Sequence, residues 1–96
     1  MIDFLTNAIN DRMEISFMYS GISRIGVPAA LGKSRQSNEV LRIYQSEGGH
    51  VNPNHEWDLC LVSGLSNVET TGKTFSVDPP GYKKGDKGMS SIYTEL

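Results

Sequence analysis

Residues 14–19 read EISFMY, and that stretch decides the fold. In an extended chain Ile15, Phe17 and Tyr19 point to one side while Ser16 and Met18 point to the other, the pattern of a half-buried strand. Upstream the period is different. Ile2, Leu5 and Ile9 recur at helical spacing with Ala8 beside them, which predicts an amphipathic helix over residues 2–12. Asp3 is placed as its N-cap or first-turn acid, and Arg12 stands at its C-terminal end, where a cation complements the helix dipole. The chain thus passes from one short helix into strands.

Downstream, Ser20-Gly21 is a turn signal. A second strand is expected over residues 22–27, with Pro28 ending its regular pairing. Residues 32–38 (GKSRQSN) read as a polar loop, and residues 40–45 (VLRIYQ) as a third strand with Leu41 and Ile43 on one face. Residues 46–56 (SEGGHVNPNHE) are rich in Gly, Asn and Pro and read as a long loop. Alternation returns in residues 57–62 (WDLCLV). Ser63-Gly64 marks a bulge or tight bend, and residues 65–71 a further strand. The tail begins with PPGYKKGDKG (79–88), which holds three lysines and three glycines. In the closing MSSIYTEL, Met89, Ile92, Tyr93 and Leu96 fit one face of a docked helix, with an edge strand as the open alternative. Short strands at roughly ten-residue spacing predict a mainly β fold, a small barrel or sandwich behind an N-terminal helix.

Ninety-six residues make one domain, spanning 1–96. Apolar residues are 38% and charged residues 21%, a globular composition. Net charge is −2: residues 1–48 balance five acids with five bases, and residues 49–96 carry six acids against four bases. Neither half has the basic excess that sequence-independent nucleic-acid binding demands, although a local basic patch is compatible with it. One cysteine, Cys60, cannot close an internal disulfide, which argues against a stapled secreted scaffold. No run of 18 apolar residues predicts a membrane span, and no basic leader precedes an apolar stretch, so the expected compartment is the cytoplasm.

The order helix, strand ending in Tyr19, turn, Arg24, Pro28, strand, loop, strand, strand resembles the WYL domain of bacteria. Ala8-Ile9 and Arg12 match its opening helix, ISFMY its first strand, RIGVPAAL the Arg and Pro that follow, and Leu65-Ser66-Asn67-Val68 its Ile-x-x-Val pattern. The likeness covers residues 5–75, and the tail is similar to that of short stand-alone bacterial relatives. It implies an SH3-like, Sm-type barrel and a ligand-sensing role, with basic residues holding nucleic acid or nucleotide-like regulators. The signature that gives the family its name would fall at Glu39-Val40-Leu41, where only the leucine is retained. The basic residue expected in the penultimate strand falls near Leu61, and the acid after it near Ser63.

Basic residues of the barrel half are Arg24, Lys33, Arg35 and Arg42. Arginine suits phosphate because its planar fork bonds two oxygens, and Arg24 and Arg42 are expected to converge if their strands pair. Solvated surface arginines are the plainer reading. In the tail, Tyr82, Lys83, Lys84 and Lys87 interleave an aromatic with cations in GYKKGDKG, a composition that stacks a base and neutralises phosphate. The spacing is not that of a P-loop, and a soluble surface loop is the competing reading. Tyr44 and Trp57 are stacking candidates or simply packing aromatics. His50, His55, Glu56 and Asp58 lack the ligand number and thiolate spacing of a structural zinc site, so no metal and no cofactor are expected. Cys60 reads as a small buried apolar residue. No Ser/His/Asp order or Gly-x-Ser-x-Gly elbow points to an enzyme.

These features lead to two expectations. The first is a non-enzymatic module that binds a nucleotide, an oligonucleotide or another anionic ligand through Arg24, Arg42 and the GYKKGDKG loop. The second is a protein-interaction module, a small regulator or inhibitor such as a mobile element encodes. Edge strands at VLRIYQ and the C-terminal segment are candidates for pairing two copies into a homo-oligomer.

Overall fold

The computed structural model describes residues 1–48 and 56–96. The elements run α1 (Ile2–Asn10), β1 (Met13–Tyr19), β2 (Ile22–Lys33), β3 (Glu39–Gly48), β4 (Trp57–Leu61), a 3-10 turn (Val62–Gly64), β5 (Ser66–Thr74) and β6 (Ser91–Glu95). Helix α1 buries Leu5, Ala8 and Ile9, with Asp3 in its first turn. It stops two residues earlier than its periodicity suggests because Arg12 takes a left-handed φ of 53°. The Arg12 side chain leaves the helix end to pair with Asp78 at 2.7 Å and lies over the Phe75 ring.

Ser20 and Gly21, with φ of 54° and 71°, make the two-residue turn between β1 and β2. Positive φ at both positions matches the twist of the flanking strands. The sheet is antiparallel, in the order β4-β3-β2-β1-β5, with β6 also paired to β2. Strand β2 has β3 along one side. On its other side residues 22–26 pair with β1 and residues 30–33 with β6. Pro28 therefore does not end the strand. It faces Ile43 of β3 and sits in the gap between the β1 and β6 ladders, where a missing N–H costs no hydrogen bond.

Register shifts at Ile25/Gly26 and Pro28/Ala30 bend β2. A Cβ on Gly26 would lie 2.6 Å from the Tyr44 carbonyl oxygen, so the two backbones approach this closely only with glycine here. The inner face holds Leu5, Ile9, Ile15, Phe17, Leu31, Leu41, Ile43 and Cys60 in one buried cluster. A smaller cluster of Ala30, Val40 and Met89, joined by Ile92, lies apart from it.

The closed SH3-like barrel is not formed among the described residues: the sheet is open, with β4 and β5 as its ends. Side chains span the interval that backbone pairing leaves. The Tyr19 hydroxyl accepts from the Leu61 N–H at 3.0 Å, and Arg24 reaches Asp58. The segment VLRIYQ, expected at an edge, lies inside the sheet between β2 and β4. The closing residues form β6 rather than a helix, because the exposed ladder of β2 beyond Pro28 supplies a partner for them. No described helix is long and apolar enough to cross a membrane.

Candidate anion-binding site

Alternation along β3 and β4 sorts the basic residues. Leu41 and Ile43 are buried in the core, so Arg42 and Tyr44 project from the outer face. On β4, Cys60 is buried while Leu59 and Leu61 are exposed, and the register sets Arg42 across from Leu59 and Tyr44 across from Trp57. Arg24 lies on the other face. It sits opposite Phe17, a core residue, and is only 4% exposed. Its guanidinium is 3.4 Å from Asp58, donates to the Tyr19 carbonyl oxygen at 3.1 Å and lies 5.4 Å from the Tyr19 ring centre. Arg24 and Arg42 thus occupy opposite faces and do not converge, and Arg24 is committed to the protein interior. The expectation failed because pairing of β2 with β3 was anticipated without the two register shifts that separate these positions.

The segment after β5 returns across the outer face and is held there by specific contacts. Trp57 donates its indole N–H to the Pro80 carbonyl oxygen at 2.8 Å. Arg42 grips Asp86 with two hydrogen bonds, Nε to Oδ2 at 2.7 Å and Nη2 to Oδ1 at 3.1 Å. Asp86 also accepts from the Gly88 N–H at 2.8 Å. The Tyr82 hydroxyl donates to the Leu96 carbonyl oxygen, and the Gly85 N–H donates to Glu95. Met89, buried beside Val40, fixes the far end of the strap.

Between this strap and the strands lies a concavity of about 330 Å³, lined by Arg42, Trp57, Tyr82, Asp86, Lys83, Lys84 and Lys87, with Gly81 and Gly85. Five residues singled out in the sequence, Arg42, Tyr82, Lys83, Lys84 and Lys87, therefore meet in one place. Tyr44 stands behind it, packed edge-on against Trp57 at 5.3 Å. Arg35 is exposed in the turn between β2 and β3 and does not line the concavity. Trp57, a stacking candidate in the sequence, is part of the wall, with Tyr82 at 6.5 Å and 29° between the ring planes. Two contributors carry weaker signals. Asp86 sits in a Gly-Asp-Lys-Gly stretch typical of an Asx turn, whereas nothing in the sequence marks Glu95.

The electrostatics of the site are uneven. The Arg42 hydrogen bonds hold the Asp86 carboxyl below its ordinary value, against the opposing effect of burial. That bidentate pair neutralises itself. Lys83, Lys84 and Lys87 are exposed and form no ion pair among the described residues. Burial, followed by Glu95 and Asp78, pushes the Tyr82 hydroxyl above its ordinary value. The cationic patch is therefore small, with acids on its border. Burial, assisted by Asp58, raises the Cys60 thiol to about 11, so it is protonated and unreactive at neutral pH. His50 and His55 lie outside the described residues. Among the described residues no three His, Cys, Asp or Glu side chains cluster as metal ligands. No protein-family model, curated protein or solved structure matches the chain.

Proposed function

We propose that this domain is a non-enzymatic binding module for a small anionic ligand, held at the concavity between the outer face of β3–β4 and the strap. The observation that carries this reading is the combination of three uncompensated lysines with a strap that is already pinned. Lysines on a mobile tail would have to be ordered on binding, at a cost in affinity. Here Arg42–Asp86, Trp57–Pro80 and Tyr82–Leu96 have fixed the backbone that carries them. The resemblance to WYL domains, with their small-barrel fold and ligand-sensing role, belongs to this proposal. The ligand is then held by the strap and not by Arg24.

Titration of the purified protein at low salt with pyrophosphate, AMP and an eight-nucleotide RNA tests the reading, followed by calorimetry and by the fluorescence of Trp57, the single tryptophan. At least one probe is expected to bind and to lose affinity as salt rises. Binding by none of them, with the protein folded, overturns the proposal.

A second reading rests on a different observation. Leu59 and Leu61 are 36% and 42% exposed on β4, an end strand of the sheet. An apolar end strand is a surface that a partner protein or a second copy can extend. Light scattering across a concentration series, together with recovery of a stoichiometric partner, distinguishes this reading from the first.

A further inference from the structure

The extent of the charge and the shape of the walls narrow the ligand class. A single-stranded nucleic-acid site is a track: cations repeat along several nucleotides, with an aromatic for successive bases, over about 4–16 nucleotides in the best-known folds. Here the uncompensated cations are confined to Lys83, Lys84 and Lys87 within five residues of one strap. An acid stops the patch on the Gly85 side, where Glu95 accepts a hydrogen bond from the Gly85 N–H of the strap itself. A phosphodiester leaving the concavity there would meet a carboxylate, and on the other side Asp78 is paired with Arg12, so that pair offers no free cation. The volume, about 330 Å³, is at the bottom of the range for small-molecule sites.

The walls are not those of a bare anion site. Trp57 and Tyr82 both line the concavity, with ring centroids 6.5 Å and ring planes 29° apart, so a flat heterocycle has aromatic surface to lie against. Trp57 is held in that orientation by its bond to Pro80 and by Tyr44 at its edge. Cations for a phosphate and rings for a base therefore stand within one concavity that has room for a single such molecule.

Resting on the anion-binding reading above, we infer that the strap site takes one nucleotide, a phosphate joined to a flat heterocycle, and not a nucleic-acid strand. Lys83, Lys84 and Lys87 face the phosphate, and Trp57 and Tyr82 the base.

The test is a set of calorimetric titrations at low salt with AMP, adenosine, inorganic phosphate and an eight-nucleotide RNA. AMP is expected to bind about tenfold more tightly than either inorganic phosphate or adenosine, since each of those lacks one half of the contacts. Its affinity should fall as salt rises, because the attraction between exposed lysines and phosphate is screened. Lys83→Ala/Lys84→Ala is expected to weaken AMP about tenfold or more while leaving adenosine unchanged. Phosphate binding as tightly as AMP overturns the base contact and leaves the anion site standing. RNA binding more tightly than AMP, with a salt slope steeper than about −3, overturns the restriction to one nucleotide. Silence from all four probes in a folded protein removes this inference together with the function it rests on.

Discussion

The two faces of the β2–β3–β4 region each hold an arginine bonded to an aspartate, and the two pairs serve different ends. On the inner face, Arg24 is 4% exposed and reaches Asp58 across a sheet that does not close by backbone pairing. On the outer face, Arg42 has 28% of its side chain exposed and holds Asp86 of the strap at 2.7 Å. The inner pair joins parts of the sheet to each other. The outer pair joins the sheet to a segment whose remaining charges are unspent. Identical chemistry therefore stabilises the fold on one side and presents a binding surface on the other, and what separates them is the parity of a strand.

That contrast predicts separable effects. The largest is expected for Arg24→Ala, which removes a 4%-exposed side chain together with its bonds to the Tyr19 carbonyl oxygen and Asp58. It should cost about 3 kcal/mol in chemical denaturation and leave the strap in place. A loss below about 0.5 kcal/mol would mean the inner pair does not hold the sheet. Next comes Gly26→Ala, whose Cβ meets the Tyr44 carbonyl oxygen at the bend of β2. Forcing the strands apart should cost about 1–3 kcal/mol, and unchanged stability would show that the bend does not need this close approach.

Asp86→Asn is expected to cost less, about 1 kcal/mol, because the strap has other anchors. It also carries a pH signature. Asp86 titrates lower in the folded protein than in the unfolded chain. Its contribution is therefore complete above the ordinary carboxylate value of 3.8 and is lost as pH falls through the folded value. Below about pH 4 the wild type should converge in stability on the Asn variant. A constant gap between the two from neutral pH to pH 2 would show that the charge on Asp86 is not what holds the strap.

Much of this arrangement is legible in the sequence where it depends on local pattern. Period-two alternation locates β1, β3 and β4 and the core residues Ile15, Phe17, Leu41 and Ile43, and the aromatic-cationic composition of 79–88 marks the strap. What depends on distant partners is not legible. Residues 28–31, Pro-Ala-Ala-Leu, do not alternate because all four are buried, so β2 reads as ending six residues early. The helical spacing of Met89, Ile92, Tyr93 and Leu96 is overruled by the free ladder of β2, and a β-bulge at Leu31/Gly32 accommodates the pairing. Arg24 and Arg42 are indistinguishable in the sequence because register shifts leave no residue signature in either strand.

The most direct test is to measure thermal stability and AMP affinity side by side for Lys83→Ala/Lys84→Ala. Because these side chains touch solvent and not the core, the midpoint should stay within about 3 °C of wild type while affinity falls about tenfold or more. Unchanged affinity, or a midpoint that drops with it, would contradict a preformed outer face that binds independently of the core.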